Sequence, residues 1–170
     1  MFTTDECALI LVDIQGKLAE LMTDKEALYL NLARLVKSAQ KLDIPIIWVE
    51  QIPEKMGPTI EPLQELMPDN SPIAKTTFSC YGDEQFRQRL QELERKQLIL
   101  TGIETHVCVY QTAAHLLEAD YEVQVVADAV SSRTEKNREL GLLRMGSLGA
   151  EITTTEMVLF ELLQHSNHPH

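Results

Sequence analysis

Residues 7–14 read CALILVDI, an unbroken apolar run that ends in a carboxylate, Asp13. A run this short and this β-branched, bounded by turn residues, reads as a strand buried on both faces. The same pattern returns at 45–50 (PIIWVE), 98–101 (LILT) and 123–127 (VQVVA), with a weaker run at 151–153 and a short one at Ile73-Ala74. Pro45 stops whatever helix precedes the second run.

Amphipathic stretches separate these runs. Thr23 and Glu26 match a capping box, and Leu28, Leu32, Leu35, Val36, Ala39 and Leu42 then recur at helical spacing. Asp83 is placed to cap a helix with Phe86, Leu90 and Leu93 on its apolar face. Thr105 is placed to cap a third helix, to about Ala119; two more are expected over Glu135 to Met145 and Glu156 to Gln164. Strand–helix alternation with short turns predicts a three-layer α/β/α domain, Rossmann-like and doubly wound. Its mainly parallel sheet has about six strands. The 170 residues suit one such domain, 1–170. In this architecture ligands bind beyond the carboxyl ends of the strands, where strand order reverses.

Composition narrows the function classes. The net charge is −11, which disfavours nucleic acid and membrane surfaces as partners and weighs against a nuclease. Cys7, Cys80 and Cys108 form no C-x-x-C pair, so neither a disulfide framework nor a zinc motif is expected. With no basic leader and no membrane-length apolar run, a reducing, cytoplasmic location is the expectation. No G-x-S-x-G elbow and no G-x-G-x-x-G after a strand is present. The histidines of the tail at 165–170 belong to a frayed terminus or, at most, a chance metal site.

Three strand ends carry chemistry. Asp13 closes the first run, as a helix cap, a solvated strand end or a buried carboxylate with a partner. Lys75 follows Ile73-Ala74, as an edge-blocking charge or a functional cation. Gly102-Ile103-Glu104-Thr105-His106-Val107-Cys108 follows the 98–101 run. With Thr105 as N-cap, Cys108 is the third helical residue, where the helix terminus lowers a thiol pKa. Cys7 and Cys80 read as small hydrophobes. An acid, a cation and a thiol at strand ends suffice for nucleophilic acyl chemistry.

The segments LILVDIQ (9–15), AKTTFSCYG (74–82), GIETHVCVYQTA (102–113) and VVADAVSSR (125–133) resemble the isochorismatase-like cysteine hydrolases, and above all the small isochorismatase-domain-containing members. The resemblance covers nearly the whole chain. It implies an Asp13–Lys75–Cys108 triad. Cys108 is then the nucleophile, Asp13 takes its proton, and Lys75 favours the thiolate and keeps Asp13 ionised. It also implies a cis peptide at Ile103–Glu104, next to amide groups that receive the oxyanion. Gln15, Gln51, Phe78 and Tyr110 are candidate pocket residues, with Glu50 a further possibility. The nicotinamidases of this superfamily carry metal-binding histidines after the second strand. This chain has Glu50-Gln51-Ile52-Pro53 there, so no metal and no cofactor is expected. The resemblance therefore implies a cysteine-dependent hydrolase of a small amide-like or ester-like metabolite, acting through a thioester as a homo-oligomer. The rival reading is a non-catalytic binding or scaffold protein on the same fold.

Overall fold

In the computed structural model, which describes residues 1–167, every residue of β1 (Cys7–Val12) is buried. Alternation along the strand divides its side chains between two cores. Leu9 and Leu11 enter one; Ala8, Ile10 and Val12 enter the other. Residues 168–170, the end of the tail, lie outside the described residues.

The chain continues through α1 (Gly16–Glu20), α2 (Lys25–Lys41), β2 (Ile46–Gln51), α3 (Pro53–Met56), α4 (Glu61–Gln64) and β3 (Ile73–Lys75). It then runs through α5 (Glu84–Leu93), β4 (Gln97–Ile103), α6 (Tyr110–Glu118), β5 (Glu122–Ser131), α7 (Glu135–Ser147), β6 (Glu151–Thr153) and α8 (Thr155–Leu163). The six strands form one sheet in the order β3-β2-β1-β4-β5-β6, and every pairing is parallel. Leu28, Leu32 and Leu35 of α2 pack with Val158 and Leu162 of α8 over Leu9 and Leu11. On the other face Phe86 and Leu90 of α5, Leu116 of α6 and Met145 of α7 cover Ile10 and Val12. The three expected layers are present.

Strand order reverses at β1, which pairs with β2 on one side and β4 on the other. Backbone approach is closest there. Gly102 of β4 has φ +117°, and a Cβ at that position would lie 2.1 Å from the Val12 carbonyl oxygen. Only glycine fits such a contact in such a conformation. The residues just beyond, Asp13 and Ile103, therefore emerge side by side.

Two expected caps are absent. Asp24, not Thr23, precedes α2, and it makes no side-chain cap. Thr23 instead donates from Oγ1 to the Ser132 carbonyl at 2.9 Å, tying the helix entrance to the end of β5. Thr105 caps nothing and sits inside a π-helical turn, Thr105–Val109. Asp83 does cap α5, accepting from the Phe86 N–H at 3.1 Å.

Candidate active site

Asp13 sits one residue past β1 with φ +55°, a left-handed conformation that a short carboxylate tolerates better than most side chains. Lys75 closes β3 and reaches across the end of β2, where its Nζ donates to Asp13 Oδ2 at 2.8 Å. It also donates to Gln51 Oε1 at 2.5 Å and to the Thr77 carbonyl at 3.0 Å. An ammonium has three protons, so this one is saturated. Its side chain is wholly buried, and that burial is compensated by the ion pair and the two neutral acceptors. Asp13 keeps one oxygen, Oδ1, without a hydrogen-bond partner among the described residues. Burial raises the Asp13 pKa, and the Lys75 charge, pulling the other way, does not cancel the effect.

Cys108 is the fourth residue of the π-helical turn, with Glu104 at the cap position. Single π turns recur at functional sites because the extra residue re-aims a side chain. Burial pushes the Cys108 thiol pKa up, the Asp13 charge adds to the rise, and Lys75 opposes it. This corrects the expectation from the helix terminus. At neutral pH the resting sulfur is a thiol, since desolvation outweighs the nearby cation. The Cys108 thiol near Asp13 favours the charged form of its carboxyl.

These groups meet at a cavity of about 400 Å³, whose wall includes Asp13, Gln15, Gln51, Phe78, Ile103, Glu104 and Cys108. The Ile103–Glu104 peptide is cis. Gln15 lines the cavity, but its amide is spent on structure: Oε1 accepts from the Gln51 N–H at 2.6 Å and Nε2 donates to the Gly57 carbonyl at 2.7 Å. Lys75 itself stands behind Asp13, outside the wall.

Tyr110 is not part of the wall. Two residues along a helix turn a side chain about 200° away, so Cys108 and Tyr110 cannot share a face. Tyr110 accepts from Arg144 Nη2 at 3.0 Å instead. Glu50 is also elsewhere, buried and accepting from the Thr59 N–H at 2.7 Å and its hydroxyl at 2.8 Å.

Leu18, Ile52, Lys55, Met56, Val107 and Arg133 complete the wall and were not anticipated. Four of them come from α1, α3 and the residue before α3, short helices that leave little periodicity to read. Arg133 Nε donates to Glu104 Oε1, and this residue ends the VVADAVSSR segment. Among the described residues no group of three or more His, Cys, Asp or Glu side chains could hold a metal ion.

The isochorismatase domain family matches residues 7–157. The chain belongs to that family. It is 38% identical to isochorismatase domain-containing protein 2 of Xenopus laevis, over 95% of this chain and 78% of that protein. Among solved structures it is similar to the MAR1 ribonuclease of Caenorhabditis elegans, with a TM-score of 0.92 and 37% identity, over 99% of this chain and 86% of the other. It is also similar to the YcaC gene product of Escherichia coli, described as an octameric hydrolase of unknown specificity. That match has a TM-score of 0.92 and 28% identity, over 96% of this chain and 82% of the other. The fold is thus an isochorismatase-family hydrolase fold.

Proposed function

We propose that this chain is a cysteine-dependent hydrolase of small amide-like or ester-like metabolites, with Asp13, Lys75 and Cys108 as its catalytic set. One observation carries the reading. A carboxylate held on one oxygen by a saturated ammonium keeps its other oxygen free beside a cysteine, on the wall of a cavity at the reversal of strand order. That oxygen is the base. As Cys108 Sγ attacks the carbonyl carbon, the thiol proton passes to Asp13, and amide N–H groups near Ile103 and Cys108 receive the oxyanion. The proton then leaves with the amine, or the alcohol of an ester, as the carbon–heteroatom bond breaks. Water hydrolyses the thioester, releasing a carboxylic acid and restoring the thiol.

Lys75 holds Asp13 in place and favours its ionised form. It has no proton to spare for substrate, so it is a positioning residue.

The test is ammonia or amine release from a panel of small amides, ureides and esters. Turnover is expected in the parent chain and lost in Cys108→Ala. It is expected to survive exhaustive chelation, and loss with EDTA restored by zinc or iron would refute the metal-free mechanism. Binding without turnover across the panel would favour a non-catalytic scaffold.

The name of the worm relative raises phosphodiester cleavage as a second reading. A net charge of −11 opposes approach of a polyanion, and RNA is expected to remain uncut. Burial of all three free cysteines fits a reducing, cytoplasmic setting. The octameric description of the bacterial relative supports a homo-oligomer.

A further inference from the structure

Large hydrophobic side chains stand exposed along one side of the molecule, the edge of the sheet where β6 pairs with β5 alone. α7 covers one face of the sheet there and α8 the other. Leu140 and Leu143 of α7 are exposed one turn apart, and the exposed Gly146 follows one turn further on, so the three form a row along the helix. Gly146 meets the edge strand: a Cβ there would lie 3.5 Å from Ile152 Cγ1. The row therefore runs from α7 onto β6, through side chains 41–67% exposed, and Leu148 adds to it just past the end of α7. A second row lies on the other helix layer. Met157 and Phe160 are again exposed one turn apart, on α8, and Phe160 shares a groove of about 600 Å³ with the exposed Leu30 of α2.

Charge is sparse here. Residues 140–160 hold Arg144, Glu151 and Glu156 and no other charged side chain. Two of the three are engaged within the chain, Arg144 with the Tyr110 hydroxyl and Glu151 with Gln124 Nε2. A partner of opposite charge has little to grip, whereas a second copy, carrying the same −11, can approach only where charge is sparse. Each partner of a standard dimer buries about 800 Å², of which about 65% is apolar in homodimers. Seven large side chains near half exposure present several hundred Å², which supplies most of that apolar share. The two rows flank one edge, one on each helix layer, so a two-fold axis at β6 lays each row against its own copy. We infer that this face is a self-association surface, on which two copies meet edge to edge at β6, with α7 against α7 and α8 against α8. The inference rests on the homo-oligomer proposed above and is independent of the hydrolase reaction.

Sedimentation equilibrium over a range of concentrations reads the association of the parent chain, which is expected to be larger than one copy. Leu143→Glu and Phe160→Glu each place a carboxylate in one row, against a partner of like charge. Each is expected to weaken association about tenfold or more, and the two together to leave a smaller particle. Leu21→Glu adds the same charge at a leucine outside this face, 62% exposed, and should leave the mass unchanged. Circular dichroism and cooperative urea unfolding establish that each variant is folded. Cys7, Cys80 and Cys108 are all buried, so Ile152→Cys supplies an exposed thiol at the axis, and a short bismaleimide is expected to link two copies through it.

A parent chain that stays monomeric at every concentration overturns both the homo-oligomer and this surface. An oligomer whose mass is unchanged by folded Leu143→Glu and Phe160→Glu, or that Ile152→Cys does not cross-link, keeps the homo-oligomer and rejects this face. Weakened association in both charge variants, with Leu21→Glu unchanged and a cross-linked dimer through position 152, supports it.

Discussion

At the scale of single residues, the proposed mechanism depends on a proton that moves from Cys108 to Asp13. Burial raises both pKa values and so favours the protonated form of each group, while the Lys75 charge opposes the rise in both. In that mechanism activity requires ionised Asp13 and falls as pH drops through its pKa. The acid limb of kcat/KM is therefore expected above 3.8, the ordinary aspartate value. A limb at or below that value would deny Asp13 the role of base. Asp13→Asn is expected to lower kcat by about 10²–10⁴, the usual worth of general base catalysis. The thiol itself should alkylate no faster than a free cysteine at neutral pH, which mass-mapped iodoacetamide labelling checks. Strand ends drew attention to Asp13, Lys75 and Cys108 in the sequence because each is a reactive side chain next to an apolar run. Protonation of the thiol was not legible there, because desolvation depends on neighbours that come from other strands.

At the scale of elements, the helix α7 packs against the turn that carries the proposed nucleophile, Cys108. Gly141 lets it lie against the π-helical turn, where an added Cβ would meet the His106 nitrogen and the Thr105 carbonyl carbon at 3.0 Å each. Those two atoms belong to one peptide bond, and the third close atom, also at 3.0 Å, is Cγ2 of the fully buried Thr105, so no flexible side chain is there to give way. Gly141→Ala is expected to destabilise the fold by about 1–3 kcal/mol, as overpacking does. The same substitution should lower kcat by displacing Cys108. Urea titration and single-turnover rates separate the two effects, and unchanged kcat would show that the turn is indifferent to α7. Strands were the legible elements, because runs such as LILT at 98–101 are too short and too β-branched for helices. Helix entrances were less so. Thr23 carries the residue type of a cap, yet its hydroxyl is claimed by Ser131 and Ser132 at the end of β5, a partner more than a hundred positions away. The short α3, which brings Lys55 and Met56 to the cavity, has no apolar stripe to announce it.

At the scale of the whole molecule, three buried thiols make stability depend on alkaline pH. Burial raises Cys7 from 9.0 to about 11 and Cys80 from 9.0 to about 12. The sign follows from proton counting. Between the unfolded and folded values the native chain retains protons that the unfolded chain has released, so unfolding is favoured as pH rises. The full contribution of each thiol is present below pH 9.0 and is lost as pH climbs toward the folded value. A tenfold difference in proton affinity between the two states is worth about 1.4 kcal/mol, so Cys7 alone would remove about 3 kcal/mol, an order-of-magnitude figure. That is a large share of the 5–15 kcal/mol typical of a folded domain. Urea unfolding free energy is therefore expected to be flat to about pH 9 and to fall steeply above it. Cys7→Ala leaves a small cavity that lowers stability at every pH, but it also removes a titrating group. Its curve should start lower and decline less steeply than that of the parent chain. If the alkaline slope is the same in Cys7→Ala and Cys80→Ala as in the parent, the loss of stability comes from other groups and the buried thiols do not control it.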